Sequence, residues 1–431
     1  MQLLKEIKKE ISSTKMDKRL IYTKVKTFNN CFRKEEYKKI PCKEGESNLN
    51  DSGDKTFVFN YEKMLAYLPE SMIMEQFTIE NTTDELTLEN DPFPAKYTSV
   101  KLMFGTDEIE SITTSVGEAS TIIRTVLTSD TFKKTYGALS GWFPDTSDKT
   151  DKTNIGFMER KAYYNGKTTI TMFYPLKYLF GLFYNYPKVF YEIPNISLIL
   201  HRNTDDTLTK KIFFGSKLKD ETAGPPVVMG KMPLFKTKKL EWWIPVYTPN
   251  LTAETFFHNQ LNKDKNVEIG FMKNRMAKTT FNTSNFSWTI AEVKKPIRFI
   301  FIGFKIDKEN VKKNNNFFTM KNIRNIKVSV NGEDYQEIKV NSDEGNVGEA
   351  YLSYVNGCEY FGYEPQLTIK DFTNYYPIFT INTTSQLETL NGNSIVVTIE
   401  KDGNDEITAF CFMMEEAHII FNTSDHSIKK L

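Results

Sequence analysis

Four histidines, His201, His258, His418 and His426, are the side chains best suited to bind a metal or move a proton near neutral pH. No two stand in H-x-x-x-H or H-E-x-x-H spacing and none lies beside a cysteine pair, so no zinc site is predicted. His201 ends an apolar run beside Arg202 and reads as a surface residue at a strand end. Cys31, Cys42, Cys358 and Cys411 are irregularly spaced and form no CxxC knuckle, which suits a reducing compartment. Gly224–Met232 (GPPVVMGKM) has the outline of a phosphate loop. Its glycines are one residue too far apart, Met232 stands where a Ser or Thr would hold Mg²⁺, and two prolines remove N–H donors. Gly137–Gly141 (GALSG) lacks nucleophile-elbow spacing and has no strand leading into it. Asp205-Asp206 could bind Ca²⁺ or act as an acid–base pair, but adjacent loop residues point apart, and a solvated turn is expected. Trp242-Trp243 and Phe173-Tyr174 could stack on sugars or bases; among Ile- and Val-rich strands, packing is the expectation. The sequence therefore predicts no catalytic residue, no metal site and no cofactor.

The elements that would position any such group are strands. Of 431 residues, 39 % are hydrophobic and 26 % charged, which describes a folded, soluble chain. Aromatics make up 13 %, with 33 Phe and 21 Tyr, a bias toward pleated surfaces. With 56 basic against 55 acidic residues the net charge is +1, so no global electrostatic argument favours nucleic acid or a membrane surface. No run approaches the ~20 apolar residues of a membrane span. The start, MQLLKEIKKEISSTK, lacks the apolar core and cleavage site of a secretory signal, so an intracellular, non-secreted chain is expected.

Residues 1–45 differ from the rest. Leu3, Leu4, Ile7 and Ile11 share a helical face opposite Lys5, Lys8, Lys9 and Glu10, and basic residues outnumber acids as far as Lys39. This segment is either a solvated helix or loose arm, or an arm that docks on a neighbouring subunit, a membrane surface or nucleic acid. Strand-like runs follow with few helical interruptions. One interruption is Ser115–Leu127, where Ser115 and Glu118 are spaced as a capping box.

Val100–Ile112 (VKLMFGTDEIESI) returns as Ile326–Ile338 (IKVSVNGEDYQEI). Each copy alternates apolar residues, turns at Gly105-Thr106 or Asn331-Gly332, and leaves as a second strand. Three weaker matches follow: Asn285–Ile290 with Gln76–Ile79, Tyr375–Ile378 with Phe173–Leu176, and Asn393–Ile399 with Asn195–His201. A parallel α/β fold would need a helix between most strands, and such helices are not evident. The expectation is an all-β chain of two tandem eight-stranded jelly-roll sandwiches, residues 46–249 and 250–431, with short helices in loops and the basic arm 1–45.

Tyr174–Arg202 (YPLKYLFGLFYNYPKVFYEIPNISLILHR) resembles a segment of the double jelly-roll major capsid protein family of Polinton- and adintovirus-like DNA viruses and their endogenous relatives. Pro175, Leu176, Phe180, Gly181, Tyr186, Lys188-Val189 and Arg202 stand in the family's places, and Asp205-Asp206 follow as acids do there. Glu108–Ser111, Trp243-Ile244-Pro245, Asn285–Trp288 and the run from Pro296 through Arg298–Ile300 to Gly303-Phe304 agree in order. The resemblance extends from about Phe57 to the C-terminus; the arm has no counterpart, and Phe183–Asn185 replace a more acidic stretch. It implies a major capsid protein, not an enzyme, whose homotrimers form pseudo-hexagonal capsomers of an icosahedral virion shell. Implied partners are neighbouring capsomers, penton and minor capsid proteins, and the genome or an inner membrane through the arm. A lectin- or receptor-like double sandwich using Trp142 or Tyr163-Tyr164, a domesticated non-virion relative and a jelly-roll hydrolase are the alternatives.

Overall fold

Alternating burial along the chain produces two sandwiches of the same design. The structure, a computed structural model, describes residues 32–60, 64–81, 85–190, 195–215, 232–263, 265–293, 295–306, 311–340, 347–385, 393–425 and 427–431. The expected helix through Leu3 and Ile11, Cys31, Gly224–Lys231 and His426 lie outside these residues. The first roll contains β1 (Phe32–Pro41), β2 (Gly53–Phe59), β3 (Met72–Glu80), β4 (Tyr97–Phe104), β5 (Asp107–Ile112), β6 (Ile170–Pro175), β7 (Ile196–Arg202) and β8 (Leu234–Pro249). The second contains β9 (Asn266–Phe281), β10 (Asn285–Val293), β11 (Ile297–Lys305), β12 (Ile323–Val330), β13 (Glu333–Lys339), β14 (Phe379–Asn382), β15 (Asn393–Lys401) and β16 (Ile407–Asn422). The first roll's sheets run β1-β8-β3-β6 and β2-β7-β4-β5; the second's run β9-β16-β11-β14 and β10-β15-β12-β13. Each strand of the first roll thus has a counterpart eight strands later, in the same place in the same sheet. Leu65–Ala66 and Ile428–Lys430 extend two of these sheets, and Leu86–Leu88 pairs separately with Phe213–Gly215.

The repeated hairpins occupy equivalent positions down to their irregularities. Val100 faces Ile112 and Ile326 faces Ile338. A bulge follows Leu102 in one and Val328 in the other, leaving Glu110 opposite Leu102 and Gln336 opposite Val328. Asn331 and Gly332 both take positive φ, 53° and 84°, as a type I′ turn demands, whereas only Gly105 (58°) does so in the first hairpin. The weaker matches fare unevenly. Asn393–Ile399 lies in β15, the counterpart of β7, but Phe104 pairs with Ile196 while Val330 pairs with Ile395. The true register is therefore one residue away from the alignment of Asn195 with Asn393, a slip that would reverse every side chain. Asn285–Ile290 belongs to β10, the counterpart of β2, and so does not match Gln76–Ile79 in β3. Phe173–Pro175 end β6, while Tyr375–Ile378 precede β14. Those two likenesses reflect only the shared vocabulary of apolar strands.

Within the expected basic arm, Phe32–Pro41 is a strand of the first sheet, paired with β8 from Phe32↔Pro249 to Pro41↔Glu241. Its Lys- and Glu-rich composition hid it, because an edge strand tolerates charge on both faces. Helices gather in the same connection of both rolls. α1 (Val116–Val126) and α2 (Ile155–Tyr164) separate β5 from β6; α3 (Gly181–Asn185) and α4 (Asp205–Ile212) flank β7; α5 (Leu251–Lys263) links the rolls; α6 (Gly348–Tyr360) and α7 (Ile369–Asn374) separate β13 from β14. The expected capping box on α1 does not form: Ser115 is left-handed at φ 54° and makes no side-chain cap. Strand β11, central in its sheet, is buried at every residue from Ile297 to Phe304. Apolar side chains of both rolls join into one continuous core.

Candidate functional site: the seam between the rolls

Strand β9 is an edge strand, and its outward polar groups need partners that its own sheet cannot supply. The first roll provides them. Glu110 on β5 accepts hydrogen bonds from the backbone N–H of Asn274 (2.6 Å), of Gly181 (2.7 Å) and of Leu182 (3.1 Å). Asn274 returns its side-chain amide to the carbonyl of Leu179 (3.0 Å), and Asn185 donates to the carbonyl of Met272 (3.3 Å). Gly181 is obligatory here, since a Cβ at that position would lie 1.8 Å from the Met272 carbonyl oxygen. Burial pushes the Glu110 carboxyl up to about 7, although the three N–H groups and Lys273 favour its ionised form.

A second polar cluster closes the other side of the seam. Arg160 on α2 is fully buried, and its Nη2 donates to both carboxylate oxygens of Asp145, at 2.8 and 2.9 Å. Its remaining donors reach the carbonyls of Leu88 (2.7 Å) and Phe143 (2.5 Å). From the second roll, Asn314 donates to Asp145 (2.6 Å) and the Tyr376 hydroxyl accepts from the Asp145 N–H (3.1 Å). The Asn315 N–H donates to Glu89 (2.6 Å), and Asn316 donates to the Asn90 carbonyl (2.5 Å) while accepting from Thr121 (2.9 Å). Burial and the neighbouring Asp145 charge raise the Glu89 carboxyl to about 8. Glu118, freed from the helix cap, pairs with Lys305 of β11 at 3.0 Å. Burial would raise its pKa, but the Lys305 and Lys211 charges outweigh burial and hold it at about 2. Gln366 ends the seam by donating to the carbonyls of Arg124 and Thr125, each at 2.8 Å, at the C-terminal end of α1.

None of these seam residues stood out for chemistry in the sequence. One signal was available: Ile109 and Ile112 are three residues apart, a break in period two that marks the bulge and turns Glu110 inward. Residues that did stand out are dispersed. His201 meets Asp54 at 2.6 Å on the surface. Asp205 pairs with Arg202 and Asp206 with Lys210 in the first turn of α4. Cys42, Cys358 and Cys411 are separately buried thiols. Gly137–Gly141 is a short helical turn ending at a left-handed Gly141. Trp142, which the lectin-like alternative needs exposed, is buried, and Tyr164 is buried with it. Trp242 is core, as expected. Trp243 instead looks outward from β8, with Phe173 at 5.2 Å, Tyr37 at 6.0 Å and the Lys39 ammonium 4.2 Å above its ring.

A model of the double jelly roll-like domain family matches residues 142–419. A comparison with curated proteins found no match. Among solved structures, the chain is similar to that of the Sputnik virophage determined by cryo-EM, with TM-score 0.63 and 11 % identity over 97 % of this chain and 92 % of that one. It is similar to the PBCV-1 virus capsid chain, with TM-score 0.57 and 8 % identity over 95 % and 98 %. Against the mavirus major capsid protein the TM-score is 0.55 at 9 % identity, over 95 % and 92 %. At such identities the likeness is one of fold.

Proposed function

This chain belongs to the double jelly roll-like domain family, and from that premise we propose that it is a major capsid protein whose homotrimers are the capsomers of an icosahedral virion shell. The observation that carries this reading is the strand-for-strand equivalence of two rolls held side by side by a polar seam. Three such chains present six alike sandwiches, which suits a hexagonal lattice, and the fold matches viral capsid chains along nearly their whole length. The lectin-like reading loses support because Trp142 and Tyr164 are buried. We set the boundary between the rolls after Pro249. Docking on genome, membrane or a neighbouring capsomer we assign to residues 1–31, since Phe32–Pro41 already serves as β1.

Light scattering on purified protein should give a trimer, and negative-stain images of concentrated protein should give regular particles. A monomer at all salt and pH conditions overturns the reading. Deleting residues 1–31 should leave trimers intact and impair shell formation or packaging; normal shells from the truncated chain would remove the arm from the assignment.

A further inference from the structure

Strand directions put the β3–β4 and β5–β6 connections of the first roll, and the β11–β12 and β13–β14 connections of the second, at one end of the molecule. Phe32, where residues 1–31 join β1, lies with Pro249 at the other end. At the first end a cleft of about 550 Å³ opens between the rolls. Its walls are the β11–β12 connection, Asp148 from the β5–β6 connection, and Asn374 and Tyr375 at the end of α7. Backbone bonds hold these walls together: the Phe318 N–H donates to the Tyr375 carbonyl (2.9 Å) and the Thr319 N–H to that of Phe304 (2.8 Å). In a chain of net charge +1, four lysines line this one cleft, against the single carboxylate of Asp148 among the described residues. Lys305 is half-buried and bound to Glu118 (3.0 Å) and to the Asn315 carbonyl (2.5 Å). Lys312, Lys313 and Lys321 are exposed. Between them lie the half-buried rings of Phe317 and Tyr375, 4.7 Å apart.

We propose that this cleft binds a sulfated oligosaccharide, with Lys312, Lys313 and Lys321 on its sulfate groups and a sugar ring against Tyr375. Its volume falls in the range of small-ligand sites, roughly 300–1,000 Å³. An aromatic face takes the C–H face of a pyranose, and the Asn374 amide and the Thr319 hydroxyl match sugar hydroxyl groups. Lysine suits sulfate as a flexible point charge. Among the described lining residues there is no arginine fork and no glycine-rich backbone cradle, the devices that hold the phosphates of a nucleotide. The site lies within one chain and needs no assembly, so it goes beyond the capsomer reading. That reading supplies only the source of the ligand. With residues 1–31 turned toward genome or membrane, the cleft opens on the outer face, where the glycans of a cell surface are met.

The test is calorimetric titration of the full chain with a heparin-derived tetrasaccharide at low salt. Saturable binding that weakens as salt is added is expected. The double variant Lys312→Ala/Lys321→Ala should weaken it about tenfold, two exposed charge contacts being lost. Asp148→Asn should strengthen it about threefold by removing the one repelling charge, a gain that no structural damage could imitate. Tyr375→Ala should weaken the tetrasaccharide about fivefold and leave the weak binding of inorganic sulfate unchanged, which separates ring stacking from charge. Circular dichroism checks that each variant is folded. Absence of saturable binding, equal affinity in wild type and the lysine variant, or weaker binding in Asp148→Asn overturns the site. So does a single-stranded oligonucleotide of equal charge that binds more tightly and is lost in the same variants, since the cleft would then be a nucleic-acid site. Each of these results leaves the capsomer reading standing, because that reading is decided by the trimer in light scattering.

Discussion

At the scale of single residues, the seam depends on groups that cannot be replaced by others of similar size. Arg160→Ala would leave Asp145 buried beside Glu89 with its counter-charge gone, a change expected to cost about 3–5 kcal/mol in urea unfolding. Arg160→Lys should recover only part of that loss, because one ammonium on Asp145 cannot also reach the Leu88 and Phe143 carbonyls that the other two guanidinium nitrogens hold. Gly181→Ala drives a methyl group into the Met272 carbonyl, and the expected penalty is about 1–3 kcal/mol in the same measurement. An unchanged midpoint for Gly181→Ala would mean that the rolls are not in contact at that point. Gly181 was visible in the sequence only as part of a family block. Its reason, the approach of a foreign backbone, belongs to a neighbour 91 residues away, at Met272.

At the scale of elements, legibility followed the strength of local pattern. The two hairpins could be read because period-two alternation and turn chemistry are written in adjacent residues. Strand β11 could be read because a central strand is apolar on both faces. Strand β1 could not, since its side chains are largely solvated and only its backbone is committed, to β8. Its importance is testable: removing residues 1–41 uncovers the edge of β8 and should yield aggregated or poorly soluble protein, whereas removing residues 1–31 should leave the thermal midpoint unchanged. Equal solubility of the two truncations would contradict the role given to β1. The helices α2 and α6 were also missed, as their stability comes from packing on the sheets and the seam rather than from a strong periodic signal.

At the scale of the whole molecule, the seam and a continuous apolar core join the two sandwiches, and the seam's buried carboxyls are expected to make stability depend on pH. Burial, then Asp145, raises Glu89 to about 8, and burial raises Glu110 to about 7, against an ordinary value of 4.5. Between these limits the folded chain holds protons that the unfolded chain has already released. Their contribution to stability is therefore complete below the ordinary value and is lost as the pH rises through about 7 and then 8. A thermal midpoint that falls across this window, and a shallower fall in Glu89→Gln, are expected by scanning calorimetry. Identical pH profiles for the two proteins would remove Glu89 from the account.

Taken alone, the sequence determined the all-β class, the duplication and the family, because strands, turns and motif blocks are local patterns. Only the tertiary structure decided the register between β7 and β15, the membership of β1, and the inward turn of Glu110 and Arg160. The seam was decided there too. Its residues are polar, far apart in the chain and unremarkable one by one; what selects them is the free edge of a strand that must be satisfied by another sandwich, and that requirement exists only once both have folded.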